Sequence, residues 1–168
     1  MKIKKIIKNF PLEYISIFLI FLLDRFTKLY VISLNEKNNN SELFSSQFLN
    51  IRLIWNDGIA FGLFSFKENY LYNFMTAIIL VVIIIIFIMI IKNEGFAKYS
   101  LAMILGGALG NFYDRIYYRA VPDFIDFHLE NFHWFIFNVS DIFITIGVVL
   151  MIFTEIIYNP KKDINEKI

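Results

Sequence analysis

Asp24, Thr27 and Lys28 stand at i, i+3 and i+4 in one apolar segment, and Asn111, Asp114 and Arg115 repeat that spacing in a second. In a third, Asn138 and Asp141 lie three apart. On a helix such residues share a face. An ionisable group at membrane depth costs roughly 2.5–3.5 kcal/mol on insertion scales, so three polar stripes at matching depth read as one converging site. Asp123 follows Pro122 just beyond the second segment, and Asp141 lies near the start of the third, which brings a carboxylate pair to one boundary of the bilayer. Two carboxylates that share a site repel each other and are poorly solvated, so the pair holds one proton and titrates as a unit. That suits aspartic hydrolysis: the ionised member takes a proton from water while the protonated member polarises the scissile carbonyl. Asp126 and Glu130, in the same connection, read as solvated loop acids.

The elements that must position these residues belong in lipid. The chain has 168 residues, 58% hydrophobic and 18% charged, where a soluble domain carries about 45–50% apolar and about 25% charged residues. Leu71 to Ile91 is long and apolar enough to cross a bilayer as a helix. Pro11 to Leu34, Tyr99 to Tyr118 and Phe135 to Tyr158 approach that length with a few polar residues each. The expected architecture is an all-α membrane protein, a single integral domain over 1–168 with four transmembrane helices at about 11–34, 71–91, 99–118 and 135–158. The first is a retained span: Asp24, Arg25 and Lys28 stand where a signal peptide would carry a small-residue cleavage site.

Nine of the sixteen basic residues fall in the N-terminal tail, the connection with Lys92 and Lys98, and the C-terminal tail; with their acids these segments sum to +4, against −3 for the rest. Both termini are therefore expected in the cytoplasm. The polar stripes of the three helices lie near their outer ends, with none near the inner ends. On the outer side, Phe48, Ile51, Leu53 and Trp55 suggest one or two short strands, ended by a turn at Asn56-Asp57-Gly58. Residues 119–134 read as a second outer connection that is not a simple loop, with Pro122, three acids, both histidines and Trp134 at an interfacial depth. Gly106 and Gly110, four apart, permit close helix approach.

Composition also excludes. A net charge of +1 offers no field for nucleic acid. The lack of cysteine removes disulfides, thiolate metal sites and a cysteine nucleophile. His128 and His133 form no HExxH arrangement, so neither a metal nor a cofactor is expected in the chemistry.

These residues resemble the lipoprotein signal peptidases (signal peptidase II), intramembrane aspartic proteases of bacteria. DRFTK at 24–28 is similar to the family's D-Q-x-T-K, WNDGIAFG at 55–62 to R-N-x-G-A-A-F-G, and GGALGNFYDR at 106–115 to G-G-x-x-G-N-x-x-D-R. VPDF at 121–124 is similar to V-V-D-F, and FNVSD at 137–141 to F-N-x-A-D. Arg25, Trp55, Ile59, Pro122, Ser140 and Ile142 depart from those patterns. The resemblance implies cleavage on the amino side of a diacylglyceryl-modified cysteine in prolipoproteins, without a metal. It assigns the catalytic dyad to Asp123 and Asp141, and supporting or substrate-binding positions to Asp24, Asn56, Asn111, Asp114, Arg115 and Asn138. It further implies an extracytoplasmic β-cradle and short lid helix at about 44–66, prolipoprotein substrates and membrane lipids as partners, inhibition by globomycin, and a monomer in the bacterial cytoplasmic membrane. The competing reading is a small proton- or cation-coupled transporter with Asp24, Asp114 and Asp141 as relay; it expects polar residues at both depths.

Overall fold

The computed structural model describes residues 12–38, 42–58, 69–130 and 132–158. They form four helices and four strands: α1 (Leu12–Lys37), β1 (Phe44–Ser45), β2 (Leu49–Asn56), α2 (Asn69–Lys92), α3 (Gly95–Tyr117), β3 (Val121–Leu129), β4 (Phe132–Phe137) and α4 (Val139–Tyr158).

The helices are inside out relative to those of a soluble protein. On α1 the buried stripe is Glu13, Ile20, Asp24, Arg25, Lys28 and Val31, while Phe18, Leu19, Leu22, Phe26 and Leu29 face outward. On α2, Val81, Ile84, Ile85 and Ile88 are likewise exposed. Apolar surface on this scale needs a non-aqueous neighbour. Two helices, Tyr70–Lys92 and Val139–Ile156, are long and apolar enough to cross a membrane by length and composition. The protein is membrane-bound, mostly helical, with a small antiparallel sheet.

Contacts fix the helix directions. Lys98 Nζ meets Glu13 Oε1 at 2.5 Å, so α1 and α3 start at the same end. The Tyr72 hydroxyl donates to Arg115 O at 3.2 Å, and Ser140 N–H donates to Asp24 Oδ1 at 3.1 Å, so α2 and α4 start at the other. The Glu13–Lys98 pair corrects the expectation that polar groups occupy one depth only. It is closed on itself by its own partner.

Close helix approach rests on glycines. A Cβ on Gly106 would meet Ile20 Cβ at 2.9 Å; one on Gly107 would meet Ser140 O at 2.5 Å. One on Gly110 would collide with Ser140 Oγ and lie 2.5 Å from Asp24 Oδ2. The packing expected of Gly106 and Gly110 is present, and Gly107 shares it.

The sheet has the order β1-β2-β3-β4, antiparallel throughout. Its first half agrees with the strands expected around 44–56. Its second half lies where the sequence suggests no strands: β3, the turn at Glu130 and the start of β4 fall within 119–134. Phe135, expected to open the last helix, lies in β4, and α4 begins only at Val139. The polar residues of β3 stand at 123, 126 and 128, and a register irregularity falls between Asp126 and His128, so no period-2 pattern survives in the sequence. The lid helix expected at about 57–66 lies, beyond Gly58, outside the described residues.

Candidate active site

The start of α4 organises the site. Asn138 precedes the helix, so it is not the in-helix neighbour of Asp141 that the spacing suggested. Its Oδ1 accepts from Asp141 N–H at 3.3 Å while its own N–H donates to Asp141 Oδ2 at 3.1 Å. This reciprocal pattern is a capping box with Asn and Asp in the two roles. The next unpaired helix N–H, that of Ser140, is taken by Asp24 from α1. Two carboxylates thereby gather at a helix N-terminus, where the macrodipole favours negative charge.

Asn138 also reaches the other aspartate. Its Nδ2 donates to Asp123 Oδ1 at 2.6 Å, and Asn56 Nδ2 donates to Asp123 Oδ2 at 2.8 Å. Asn111 Nδ2 donates to Asp141 Oδ1 at 2.8 Å. Both carboxylates are thus held by amides. Burial, and then the charge of Asp141, pushes the Asp123 carboxyl up to about 6 from 3.8; the amides of Asn138 and Asn56 pull against that rise.

Asp123 and Asp141 line a cavity of about 410 Å³ together with Asn56, Asn111, Arg115 and Asn138, and they are the only acids in its wall among the described residues. Apart from Thr145, the rest of the wall is apolar, including Ile79, Val121, Ile144 and Val148. Arg115 donates from Nη1 to Asn111 O at 3.2 Å and from Nη2 to Gly58 O at 3.3 Å. Gly58 N–H in turn donates to Asn56 Oδ1 at 2.9 Å, an Asx turn that pins residues 56–58 beside Asp123. Further cavities of about 340 and 400 Å³ meet at Trp134 and Phe135, one reaching Asp123 past Trp55, the other reaching Asp141 past Phe137 and Ile142.

Asp24 and Asp114 sit outside this wall, in a neighbouring cluster. Lys28 Nζ lies 3.0 Å from Asp24 Oδ1 and 2.6 Å from Asp114 Oδ2; Arg25 lies 2.8 Å from Asp24 Oδ2 and 2.5 Å from Asp114 Oδ1. The four charges cancel, and all four residues are buried. Arg25 also stacks on Tyr113, its guanidinium carbon 4.8 Å from the ring centre. Lys28 Nζ donates to Asn111 Oδ1 at 2.8 Å, so Asn111 joins this cluster to Asp141.

The residues grouped from the sequence are therefore brought together, with exceptions. Thr27 shares the face but donates to the carbonyls of Leu23 and Asp24 and stays out of the network. Arg25, noted in the sequence as a charge within the first span but not as a site residue, and Ser140, seen only as a departure from a pattern, belong to the buried network. Their signal was available: Arg25 is one residue from Asp24, and a guanidinium in an apolar span needs an anionic partner. Asp126 is fully buried rather than solvated, because Arg52 pairs with it and His133 lies within hydrogen-bond distance of it on a different side of β3; Glu130 is exposed as expected.

Residues 16–157 match the family model described as signal peptidase (SPase) II. A lipoprotein signal peptidase of Pelagibacter ubique is 52% identical over 161 residues, covering 96% of each chain. One of Thermodesulfovibrio yellowstonii is 42% identical over 143 residues, covering 84% of this chain and 92% of its own. Among solved structures, a bacterial membrane enzyme determined by the in meso method at 2.3 Å superposes with a TM-score of 0.68 at 25% identity, covering 91% of this chain and 94% of its own. A second, at 1.9 Å, gives 0.67 at 28% identity, covering 90% and 96%.

Proposed function

Because the chain belongs to the signal peptidase II family, and is by that membership a protease of the lipoprotein signal peptidase type, we propose that Asp123 and Asp141 together carry its hydrolytic chemistry. The observation that supports this is the shared cavity, in which two acids accept hydrogen bonds from amides and, among the described residues, stand in no ion pair. An amide hydrogen bond tolerates either protonation state of a carboxyl group far better than an ion pair does. The pair can therefore pass a proton during each turnover.

The ionised member of the pair takes a proton from a water held between them. The hydroxide so formed attacks the scissile carbonyl carbon, and the protonated member donates to the carbonyl oxygen. Collapse of the tetrahedral intermediate breaks the C–N bond as the amine leaves with a proton, and the pair returns to its single-proton state. Asn56 and Asn138 hold Asp123, and Asn111 holds Asp141. Arg115 secures the wall through Asn111 and Gly58. Asp24 and Asp114, with Arg25 and Lys28, fix the approach of α1, α3 and α4 from behind. No step in this sequence calls for a cofactor.

The substrate is a prolipoprotein cut on the amino side of its diacylglyceryl-modified cysteine. The two further cavities and the apolar outer surface fit a lipid-bearing peptide that enters from the membrane plane. On this reading α1 and α3, whose charges are sheltered in the neutral cluster, also cross the bilayer, making four spans in a single integral domain over 1–168. Both termini face the cytoplasm of the bacterial cytoplasmic membrane, the cradle is extracytoplasmic, residues 57–66 supply the lid, globomycin competes for the site, and the chain works as a monomer among membrane lipids.

Purified protein incubated with a diacylglyceryl-modified prolipoprotein should release the signal peptide, and Asp123→Asn and Asp141→Asn should not. Full activity in either variant overturns the dyad. A periplasm-dependent reporter fused after Tyr158 should be silent, and its activity would overturn the four-span topology.

A further inference from the structure

A second cluster of reactive side chains lies on β3 and β4, away from the catalytic cavity. Asp126, His128 and His133 bring one carboxylate oxygen and two ring nitrogens within 4.8 Å of one another. The hairpin builds this arrangement. His128 and His133 are cross-strand partners with rings stacked 5.1 Å apart. The register irregularity between Asp126 and His128 allows Asp126 to reach His133 Nδ1 at 3.0 and 3.1 Å, although its own cross-strand partner is Ile136.

We propose that Asp126, His128 and His133 form a binding site for a divalent transition metal of the zinc type, which clips β3 to β4. Two imidazoles and one carboxylate make a donor set suited to zinc and its neighbours, with a position left for water. Bonds of about 2.1 Å in a tetrahedron put ligand atoms roughly 3.4 Å apart. The Asp126–His133 spacing already meets that, and the third donor needs to close by little more than 1 Å.

Two further observations point the same way. His128 Nδ1 is buried and has no hydrogen-bond partner, so one nitrogen of the cluster is left to be satisfied by an ion. Asp126 Oδ2 is held by Arg52 at 2.8 Å, which leaves Oδ1, 3.0 Å from His133 Nδ1, to serve as the ligand atom. A carboxylate ligand oriented by an outer donor in this way is the usual arrangement in metal sites. Arg52 places a positive charge nearby and so tempers the affinity; its side chain is 42% exposed and its charge is partly screened. The His133 side chain, 43% exposed, gives the ion a path from solvent. Asp126 lies three residues after Asp123 on the same strand, so an ion here would stiffen the element that carries one catalytic aspartate, without touching substrate.

The test uses the full chain in detergent, purified without a polyhistidine tag, and titrated with zinc chloride by calorimetry. One equivalent should bind with a dissociation constant below about 100 µM, and zinc should raise the unfolding temperature. His128→Ala and His133→Gln should each weaken binding by about tenfold or more and lose the thermal shift. His133→Gln, at a half-exposed position, should keep its cleavage activity, which reports that it folds. Asp123→Asn should bind zinc as the unmodified chain does, which separates this site from the dyad. Absence of saturable binding, or binding that survives both histidine substitutions, overturns the site and leaves the two rings as a stacked cross-strand pair.

Discussion

Two groups of buried carboxylates lie side by side, and they are neutralised in opposite ways. Asp24 and Asp114 face Arg25 and Lys28 at ion-pair distance. Asp123 and Asp141 share their cavity with Arg115 but, among the described residues, accept hydrogen bonds only from the amides of Asn56, Asn111 and Asn138 and one backbone N–H. The first arrangement ties each acid to two cations and serves the packing of the helices. On the proposed mechanism the second leaves its acids able to exchange a proton. Asn111 is the hinge between the two, since it accepts from Lys28 and donates to Asp141. Residue type alone does not separate structural from chemical acids here; the charge of the partner does.

Four outcomes would sharpen or break that contrast. The largest is expected from Asp141→Asn or Asp123→Asn. Cleavage should fall by about 10³-fold or more, with the unfolding temperature in detergent unchanged or higher, because a poorly solvated charge has been removed. Asp114→Ala should act in the reverse sense. It strands Arg25 and Lys28 in the interior and should cost about 3 kcal/mol or more of stability, read from thermal or denaturant unfolding. If it is milder than Asp123→Asn in that measurement, the two groups are not distinct.

Gly110→Ala is next. The added methyl group meets Asp24 and Ser140 where the neutral cluster caps α4, so a loss of about 2 kcal/mol is expected, with a parallel loss of activity. Gly106→Ala, which meets the movable side chain of Ile20, should be milder, and the reverse order would contradict the packing described.

The smallest effect concerns pH. Burial and Asp141 push the Asp123 carboxyl to about 6 from 3.8, so the proton that the pair must hold persists to about pH 6. Above that Asp123 ionises, and kcat/KM should decline with rising pH. Asn56 stabilises the charged form of Asp123. Asn56→Ala should therefore raise the pKa and move that decline upward by a fraction of a pH unit. A downward move would mean that the amide serves the protonated form instead.

Legibility varied with the kind of constraint. The polar stripes on α1 and α3 and the two aspartates were visible because charges in apolar segments stand out and helical spacing is rigid. The strands β3 and β4 were not. Asp123 turns toward the cavity while Asp126 and His128 serve another cluster, so the polar positions of β3 lack alternation. Asn138 was grouped correctly with Asp141, but as a helix neighbour, because a cap and a first-turn residue have the same three-residue spacing.

By itself, then, the sequence determined a membrane setting, the helical segments, the near-neutral net charge and the set of acids from which a hydrolytic pair could be drawn. These are local or compositional properties, set by side-chain chemistry and a fixed helical period. Tertiary structure alone decided which acids meet cations and which meet amides. It also decided that Arg25 and Ser140 belong to the buried network, and that Asp126 joins two histidines across a hairpin. Those pairings join residues up to 116 positions apart, as in Ser140 and Asp24. They depend on how glycine-mediated helix contacts and strand register bring distant segments together, which no local pattern encodes.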